Sequence, residues 1–481
     1  MFNKFLIISL YLCFLLFSNI ASASNTLPDI GTVGAGALTI EKEKEYGWAF
    51  RLMANQSLPV IRDPVLNNYI NELGQNLVAH ADSVRLPFYF FLINDQEINA
   101  AAFLGGNIKI HSGLFLYAQN ESELASVIAH EISHITQRHL ARMLEQQSFS
   151  NPATLAALAG SVLLSLISPT AGMAALSGSL ALTMQSTINY TRQHEYEADR
   201  IGIQTLYDAG YNPYGMANFF GRLADKYKYA SLPPKMLLTH PLPETRLAEA
   251  RLRASQLTVK QVNNSLDYQL SKARITVRYN NISADAALNY YQRQLKNNKY
   301  QLKEAALYGE ALAYFQKKNY PKAQQLTLAL LKTHADNLFF IDLLTDTSLA
   351  LNQADKMIKI LQEKYKKSPE NAVYTLNLVN ALHTDKQYAA AEKIIELFIR
   401  SHPQHVLAHL LAIDIYKALQ DRAREHASKA QYLALQGRFR EASQEMGSAL
   451  AYADNKLDQA RYSAKMDLYK KDDIRLQALQ E

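Results

Sequence analysis

Residues 121–134 read ESELASVIAHEISH, and this stretch decides the fold. Its apolar residues recur with the spacing of an amphipathic helix. Because residues four apart share one face of a helix, His130 and His134 can present imidazole nitrogens to the same metal ion. Glu131 lies beside them, within reach of a bound water. The stretch predicts two zinc ligands and a general base, but so short a motif also arises by chance and needs support from elsewhere in the chain.

A catalytic zinc needs a third protein ligand. In one class of zinc enzymes, that ligand is a histidine six residues after the second histidine of the motif. In the same class, a glycine lies three residues after that second histidine. Here those positions hold Leu140 and Gln137, and the nearby His139 is out of register. The third ligand must therefore come from another part of the chain.

A later stretch, residues 192–199 with the sequence RQHEYEAD, offers a carboxylate for this purpose. On a helix, Glu195 and Asp199 share a face because they are four residues apart. Glu195 can then complete the zinc site, and Asp199 can hold the second ring nitrogen of a ligand histidine. Taken alone, the same pair would be an ordinary solvated acidic face.

Two short segments before the predicted helix indicate a small sheet. Residues 86–93, LPFYFFLI, are rich in aromatic side chains and have the pattern of a buried strand. Residues 107–111 are a second strand candidate, preceded by the turn residues Gly105 and Gly106. We expect this second strand to form the edge of the active site, where an extended peptide can add by backbone hydrogen bonding.

The second half of the chain is helical and repetitive. Ala335, Pro369 and Pro403 are each 34 residues apart, and the related segments 319–323 and 387–391 are 68 apart. This is the period of tetratricopeptide repeats, in which helical hairpins stack into a solenoid.

The predicted fold class is therefore mainly α. It combines a zincin-type α+β metalloprotease domain, which contains a small sheet, with an α-helical tetratricopeptide-repeat solenoid. The chain of 481 residues is long enough for both. We expect the protease domain at residues 41–255 and the repeat domain at residues 265–481.

The N-terminus has the pattern of a secretory signal peptide at residues 1–23. Lys4 supplies the positive charge, residues 5–17 an apolar run, and residues 21–23 a small-residue cleavage site. The only cysteine, Cys13, lies within this segment, so the mature chain would have no cysteine for disulfides, thiol catalysis or a zinc site. An uncleaved membrane anchor is the alternative interpretation.

Charge and apolar patterning limit the partners. The chain has 50 basic and 44 acidic residues, a formal net charge of +6, and the two signs are interspersed, so we expect no nucleic-acid binding. Residues 155–184 carry no charge, but Gly160, Pro169 and Gly172 break them into pieces too short to span a membrane. This segment is either buried in or over the catalytic domain, or in contact with a bilayer or an apolar client.

Together these motifs resemble the zinc metallopeptidase family that includes the heat-shock membrane protease HtpX, the mitochondrial Oma proteases and the prenyl-protein CAAX proteases. The resemblance covers roughly residues 41–250 and rests on the segments 98–106, 123–134 and 192–199. The last two of these segments are specific in combination, because each supplies a different part of one metal site.

The resemblance implies a role for each candidate residue. One zinc ion per chain would be held by His130, His134 and Glu195. Glu131 would be the general base, and Asp199 an acidic partner that is often assigned as proton donor.

The resemblance extends to residues 239–241, THP, and to Arg246. In the family these residues lie near the active site, so His240 and Arg246 are candidates for stabilising the oxyanion. Alternatively, His240 occupies the open position of zinc and holds the enzyme latent.

A signal peptide, a protease and repeats in this order are similar to the bacterial periplasmic branch of the family, which acts on outer-membrane protein assembly. The resemblance implies a periplasmic zinc endopeptidase that degrades unfolded, misassembled or stalled clients, with the repeats docking on the outer-membrane β-barrel assembly machinery. We expect the repeats to select clients, and the protease domain to hydrolyse an unstructured protein without them. Two alternatives stay open: a chaperone or scaffold with a largely latent protease site, and an integral membrane protease.

Overall fold

The computed structural model describes residues 38–146, 192–229, 236–237, 240–242, 244–259 and 264–479. The predicted signal peptide and the charge-free segment 155–184 lie outside these ranges. Within them, no helix combines the length and the apolar composition needed to cross a membrane.

The first half consists of helices around a small sheet. Its elements are α1 (Ile40–Ser57), α2 (Pro64–Ala79), β1 (Tyr89–Ile93), β2 (Ala100–Phe103), β3 (Asn107–His111), α3 (Ser112–Tyr117), α4 (Glu121–Thr136), α5 (His139–Gln146), α6 (Arg192–Asp208), α7 (Tyr214–Tyr227) and α8 (Glu244–Ser255). A short 3-10 turn, Leu104–Gly106, joins β2 to β3.

Side-chain caps fix where the two central helices begin. At the start of α4, the Asn120 side chain accepts a hydrogen bond from the Glu123 amide. At the start of α2, Asp63 is the cap, and Pro64 takes a position whose amide has no helical partner. Residues 122–134 of α4 are all buried, so this helix passes through the core and not along the surface.

The sheet has three strands in the order β1-β3-β2 within the described residues. β1 pairs with β3 in parallel, and β2 pairs with β3 antiparallel. The predicted strand 107–111 is confirmed as β3, but its expected place at the edge is wrong, because both of its sides already pair with neighbours. The edge strand that contacts α4 is β2, whose sequence AAAF has no alternating pattern that would predict a strand.

Two glycines let α1 lie directly on the turn between β2 and β3. A Cβ on Gly47 would lie 2.6 Å from the Cα of Gly105, which is closer than two unbonded carbons approach. Gly105 and Gly106 also have φ angles of +71° and +79°, which glycine adopts without strain. Gly47 and Gly105 therefore set how closely α1 approaches this turn.

The second half is a succession of helices, each packed against the next. Its elements are α9 (Leu266–Arg278), α10 (Ala284–Lys296), α11 (Lys303–Gln316), α12 (Tyr320–Leu331), α13 (Leu338–Ala350), α14 (Ala354–Lys367), α15 (Ala372–Thr384), α16 (Tyr388–Ser401), α17 (Val406–Ala418), α18 (Arg422–Ala434), α19 (Phe439–Ala451) and α20 (Lys456–Ala478). From α9 to α17, every second helix also contacts the next in its row, as in stacked helical hairpins.

A period of 34 residues is visible in the backbone of this array. Lys318, Asn352, Lys386 and Gln420 are spaced by 34 residues and have φ angles between 57° and 61°. Each lies in the turn between the two helices of one hairpin, where a left-handed residue ends the first helix. The predicted fold class is confirmed, and the tetratricopeptide assignment and the domain limits stay predictions.

Both ends of the helical array contact the first half. At one end, the Tyr268 hydroxyl donates to the backbone oxygens of Phe115 and Ala118 at 3.1 and 2.7 Å. At the other end, Trp48 of α1 stacks on Phe439 with ring centroids 5.9 Å apart.

One apolar core is common to the two halves. It continues from Ile61 before α2 to Val373 in α15. Removal of the second half would expose this core to water, so the structure argues against our expectation that the protease half acts alone.

Candidate metal centre

Four buried side chains converge in the first half: His130 and His134 from α4, Glu195 from α6, and His240. One nitrogen or oxygen atom of each lies within 4.8 Å of the corresponding atoms of the others. All four residues are at most 4% exposed. The three predicted zinc ligands therefore meet at one point, and His240 joins them.

Close packing of α6 on α4 brings these distant residues together. Gly202 of α6 lies so near α4 that a Cβ on it would be 3.2 Å from the His130 amide nitrogen. On the same helix, Asp199 Oδ1 lies 2.9 Å from His130 Nδ1, and Glu195 reaches the other ring nitrogen. Glycine at position 202 thus allows the two carboxylates to reach the motif histidines.

The donor atoms are spaced as a tetrahedral metal ion requires. Two ligands at about 2.0–2.1 Å from zinc lie about 3.3 Å apart in tetrahedral geometry. The Nε2 atoms of His130 and His134 are 3.0 Å apart, and each is 3.5 Å from a Glu195 oxygen. The Nδ1 atom of His240 lies 3.4 Å from His130 Nε2 and 3.0 Å from Glu195 Oε1. This set of nitrogen and carboxylate donors fits a divalent metal ion.

Glu131 faces the same space. Its two carboxylate oxygens are buried and accept no hydrogen bond from the residues that the structure describes. Its Oε1 lies 3.6 Å from His240 Nε2. Because a buried carboxylate is stable only with compensating charge or hydrogen bonds, Glu131 also fits a cation bound beside it.

The electrostatics of the cluster favour a positive charge. Although burial opposes ionisation, hydrogen bonds to Asp199 and Glu195 raise the pKa of His130 to about 10. Burial and the neighbouring His130 lower the pKa of His134 well below its ordinary value. Despite burial, His240 and His130 hold the pKa of Glu195 well below its ordinary value. A metal ion can therefore take the place of a proton on this cluster.

Arg246 supports the two carboxylates of α6. Its Nε and Nη2 atoms donate to the two oxygens of Asp199 at 2.6 and 2.8 Å, and its Nη1 lies 2.7 Å from Glu195 Oε2. Against the effect of burial, the hydrogen bonds from Arg246 lower the pKa of Asp199. Both Arg246 and Asp199 thus contact the side chains that offer metal donors.

Motif spacing did not select all the residues of this centre. His139 is fully buried and is not one of the four donors, but its Nδ1 lies 2.8 Å from His134 Nδ1. Glu197, two residues after Glu195, lies 3.2 Å from the other nitrogen of His139. The sequence contains both residues near known motifs, but their contact joins α5 to α6, which no local pattern predicts.

An apolar wall adjoins the donor cluster. It is formed by side chains of α4, α7 and the segments on either side of His240: Val127, Met216, Phe220, Leu223, Met236 and Leu242. The space between these side chains, next to His130 and His240, is only about 10 Å³, which is room for about one water molecule.

The chain is similar to metalloproteases over most of its length. Residues 64–254 match peptidase family M48. The putative beta-barrel assembly-enhancing protease of Vibrio cholerae is 45% identical over 442 residues, which cover 92% of this chain and 91% of that protein. The beta-barrel assembly-enhancing protease of Escherichia coli is 43% identical over 448 residues, or 93% and 92% of the two chains. A more distant relative, the metalloprotease LoiP of Escherichia coli, is 26% identical over 159 residues, or 33% of this chain and 58% of LoiP.

Proposed function

Because this chain belongs to peptidase family M48 and is a metalloprotease, we propose that it is a zinc-dependent endopeptidase of the bacterial periplasm that degrades misfolded or stalled outer-membrane proteins. The observation that carries the proposal is the convergence of two imidazoles and a carboxylate beside the buried Glu131. The names of the relatives, which are beta-barrel assembly-enhancing proteases, support the class of client.

In this proposal, His130, His134 and Glu195 are the metal ligands. Zinc is favoured over other divalent ions because it prefers a small set of nitrogen and carboxylate donors in tetrahedral geometry. When bound, zinc polarises the carbonyl of the scissile peptide and lowers the pKa of a water molecule.

Glu131 moves the protons of the reaction. Its carboxylate removes a proton from the attacking water and later gives it to the nitrogen of the departing amine. The peptide C–N bond breaks, and water supplies the oxygen of the new carboxylate. The buried position of Glu131, whose Oε1 lies 3.6 Å from His240 Nε2, supports this role.

Asp199 and Arg246 act together in this proposal. Asp199 orients His130 through Nδ1, and Arg246 holds Asp199 in place. These contacts support a positioning role for Arg246 more than the oxyanion role that the family resemblance suggests. For Asp199 they support orientation of a ligand in addition to any donation of a proton.

The edge strand β2 is the proposed dock for an extended substrate. Backbone pairing there would align a peptide beside α4 with little demand on its side chains. This mode of binding suits unfolded clients, which expose their backbone.

His240 is the proposed latch of this site. Its Nδ1 lies as close to the other donor atoms as they lie to one another. It can therefore occupy the fourth coordination position that a catalytic zinc keeps open for water. Replacement of His240 by alanine should then raise the rate of proteolysis, measured on an unstructured protein such as casein. A fall in the rate would show that His240 takes part in catalysis instead.

The repeat surface is the proposed site for the assembly machinery and for client choice. A helical array offers a long surface for polypeptide partners. We also propose that the exported chain contacts the membrane surface through residues 155–184.

Metal analysis combined with Glu131→Gln tests the central claim. The purified full chain should contain one zinc ion, and Glu131→Gln should keep the zinc but lower the hydrolysis rate by about 10²–10⁴-fold. Glu121→Gln is the matched control, because Glu121 lies on the same helix and accepts hydrogen bonds from Tyr69 and Ser265 that glutamine can also accept. A chain without stoichiometric metal, or equal losses in both variants, would contradict the proposal.

The latent-chaperone alternative draws support from the position of His240 within the donor cluster. If the Glu131→Gln variant still restores outer-membrane assembly in cells that lack the protein, the repeats carry the main function. Loss of that restoration favours the protease.

A further inference from the structure

We propose that His139 is a positioning residue for the metal ligand His134 and relays the negative charge of Glu197 to it. The inference rests on the proposed metalloprotease site and adds to it a second support that motif spacing does not reveal. It concerns three buried or half-buried side chains on three elements: His134 on α4, His139 on α5 and Glu197 on α6.

The contacts form a continuous line away from the metal donors. His134 has its Nε2 in the donor cluster, and its Nδ1 lies 2.8 Å from the Nδ1 of His139. The Nε2 of His139 lies 3.2 Å from Glu197 Oε2. Arg142 donates to the same carboxylate oxygen at 2.7 Å.

Only one arrangement of protons satisfies this line when a metal ion is bound. A histidine that binds metal through Nε2 keeps its lone pair there, so its proton lies on Nδ1. His134 must then donate from Nδ1 to Nδ1 of His139. His139 in turn carries its proton on Nε2 and donates it to Glu197, so every hydrogen bond in the line has one donor and one acceptor.

The two motif histidines thus have matching supports. His130 is held through Nδ1 by Asp199, which Arg246 holds in turn. His134 is held through Nδ1 by His139, which Glu197 holds in turn, and Arg142 holds Glu197. Partners of this kind fix the ring orientation of a ligand and increase its basicity.

The surroundings of His139 favour orientation over any contact with substrate. Its side chain is fully buried. The ring of His194 stacks on it at 4.5 Å with an interplanar angle of 12°. The residue before it, Arg138, has a φ of +52° and donates to Glu43 at 2.9 Å, so the chain enters α5 in a defined direction. The imidazole therefore lies in a packed slot with its two nitrogens aimed at His134 and Glu197.

The test is a comparison of zinc affinities in the full chain. His139→Leu removes the relay and should weaken zinc binding by about 10–100-fold, measured by competition with a chromophoric chelator. His139→Gln can still accept from His134 and donate to Glu197, and it should recover most of the lost affinity. Glu197→Gln should give a smaller loss, because an amide oxygen accepts the same hydrogen bond without the charge.

A matched control separates positioning from folding. His409 in α17 is similarly buried, and its Nε2 lies 2.9 Å from the backbone oxygen of Pro403. His409→Leu should destabilise the metal-free chain about as much as His139→Leu but leave zinc affinity unchanged. With cobalt in place of zinc, only His139→Leu should change the visible absorption spectrum, which reports the ligand geometry.

The outcomes distinguish this inference from the function on which it depends. Zinc affinity within twofold of wild type in His139→Leu, or an equal loss in His409→Leu, would overturn the relay and leave the protease proposal intact. If His139→Leu does not fold, zinc affinity within twofold of wild type in Glu197→Leu overturns it. A wild-type chain without stoichiometric zinc would end both proposals.

Discussion

Among the residues that the structure describes, a buried cluster of ionisable side chains around Arg274 can be compared with the metal centre, and the two differ in whether every charged group has a hydrogen-bond partner. In the first, Arg274 donates to Asp63 and Asp342 at 2.6 Å each, and to the Tyr308 hydroxyl at 2.9 Å. In the metal centre, by contrast, Glu131 accepts no hydrogen bond from the described residues. Both clusters carry a desolvation cost, but the second leaves the Glu131 carboxylate without a hydrogen bond from the part of the chain that the structure describes.

The Arg274 network fastens the helical array to the protease half. Asp63 is the cap of α2, Arg274 lies on α9, and Asp342 lies on α13. One turn further along α9, Arg278 donates to Asp346 at 2.7 Å. Although burial opposes it, Asp342 and Asp63 raise the pKa of Arg274 well above its ordinary value.

The comparison teaches that a buried group of charges is not by itself a functional site. A complete network holds elements together, and its residues have no further group to bind. The metal centre collects carboxylates and imidazole nitrogens around one point, so a bound cation improves its electrostatics. Removal of one residue should therefore lower activity more than stability in the metal centre, and stability more than activity in the Arg274 cluster.

Removal of a metal donor should have the largest effect on activity. His134→Ala should weaken zinc binding and lower the hydrolysis rate by more than the roughly 100-fold expected for loss of a residue that only supports a ligand. The metal-free chain should change in unfolding free energy by only about 1 kcal/mol, a common value for one substitution. Zinc content, casein hydrolysis and urea unfolding in a chelator measure these three quantities. His409→Ala is the control and should keep its zinc. Full zinc occupancy in His134→Ala would contradict the proposed difference between the clusters.

Removal of Arg274 should have the largest effect on stability. Arg274→Leu leaves Asp63 and Asp342 buried without their cation and should cost about 3–5 kcal/mol in the free energy of unfolding. Zinc content and hydrolysis per folded molecule should stay at the wild-type level. Arg278→Leu should cost less, because the Arg278 side chain is 21% exposed and water can reach its partners. A large loss of zinc in Arg274→Leu under conditions where it is folded would mean that the two clusters are coupled.

A smaller effect should appear as a pH dependence at Asp63. Burial opposes its ionisation, but Arg274 and Arg278 lower its pKa, so the ionised form stabilises the fold above the unfolded pKa of about 3.9. This contribution is complete at neutral pH and is lost as the pH falls below about 4 toward the folded pKa. Asp63→Asn should therefore cost about 2 kcal/mol at pH 7, and its difference from wild type should shrink in acid. Urea unfolding at pH 7, 5 and 3.5 measures this; a difference that grows on acidification would contradict the assigned sign.

The candidate metal site was largely predictable from the sequence, because its central spacing is local. Residues 130 and 134 meet on any α-helix, and so do residues 195 and 199. The helical array was also predictable, since its 34-residue period is a property of the chain and recurs in the backbone turns.

The edge strand was not predictable in the same way. β2 is only four residues long, and its sequence AAAF has no alternation, so its pairing follows from the strand beside it. For this reason the sequence pointed to β3 as the edge, although β3 is central.

By itself, the sequence determined the class of chemistry, the candidate metal donors on each helix and the helical nature of the second half. Only the tertiary structure decided which strand forms the edge, that His139 reaches His134, and that Arg274 joins the two halves. The reason is physical: helical periodicity depends on neighbours a few residues apart, whereas hydrogen bonds such as Arg274 to Asp63 join residues 211 positions apart and exist only once the chain has packed.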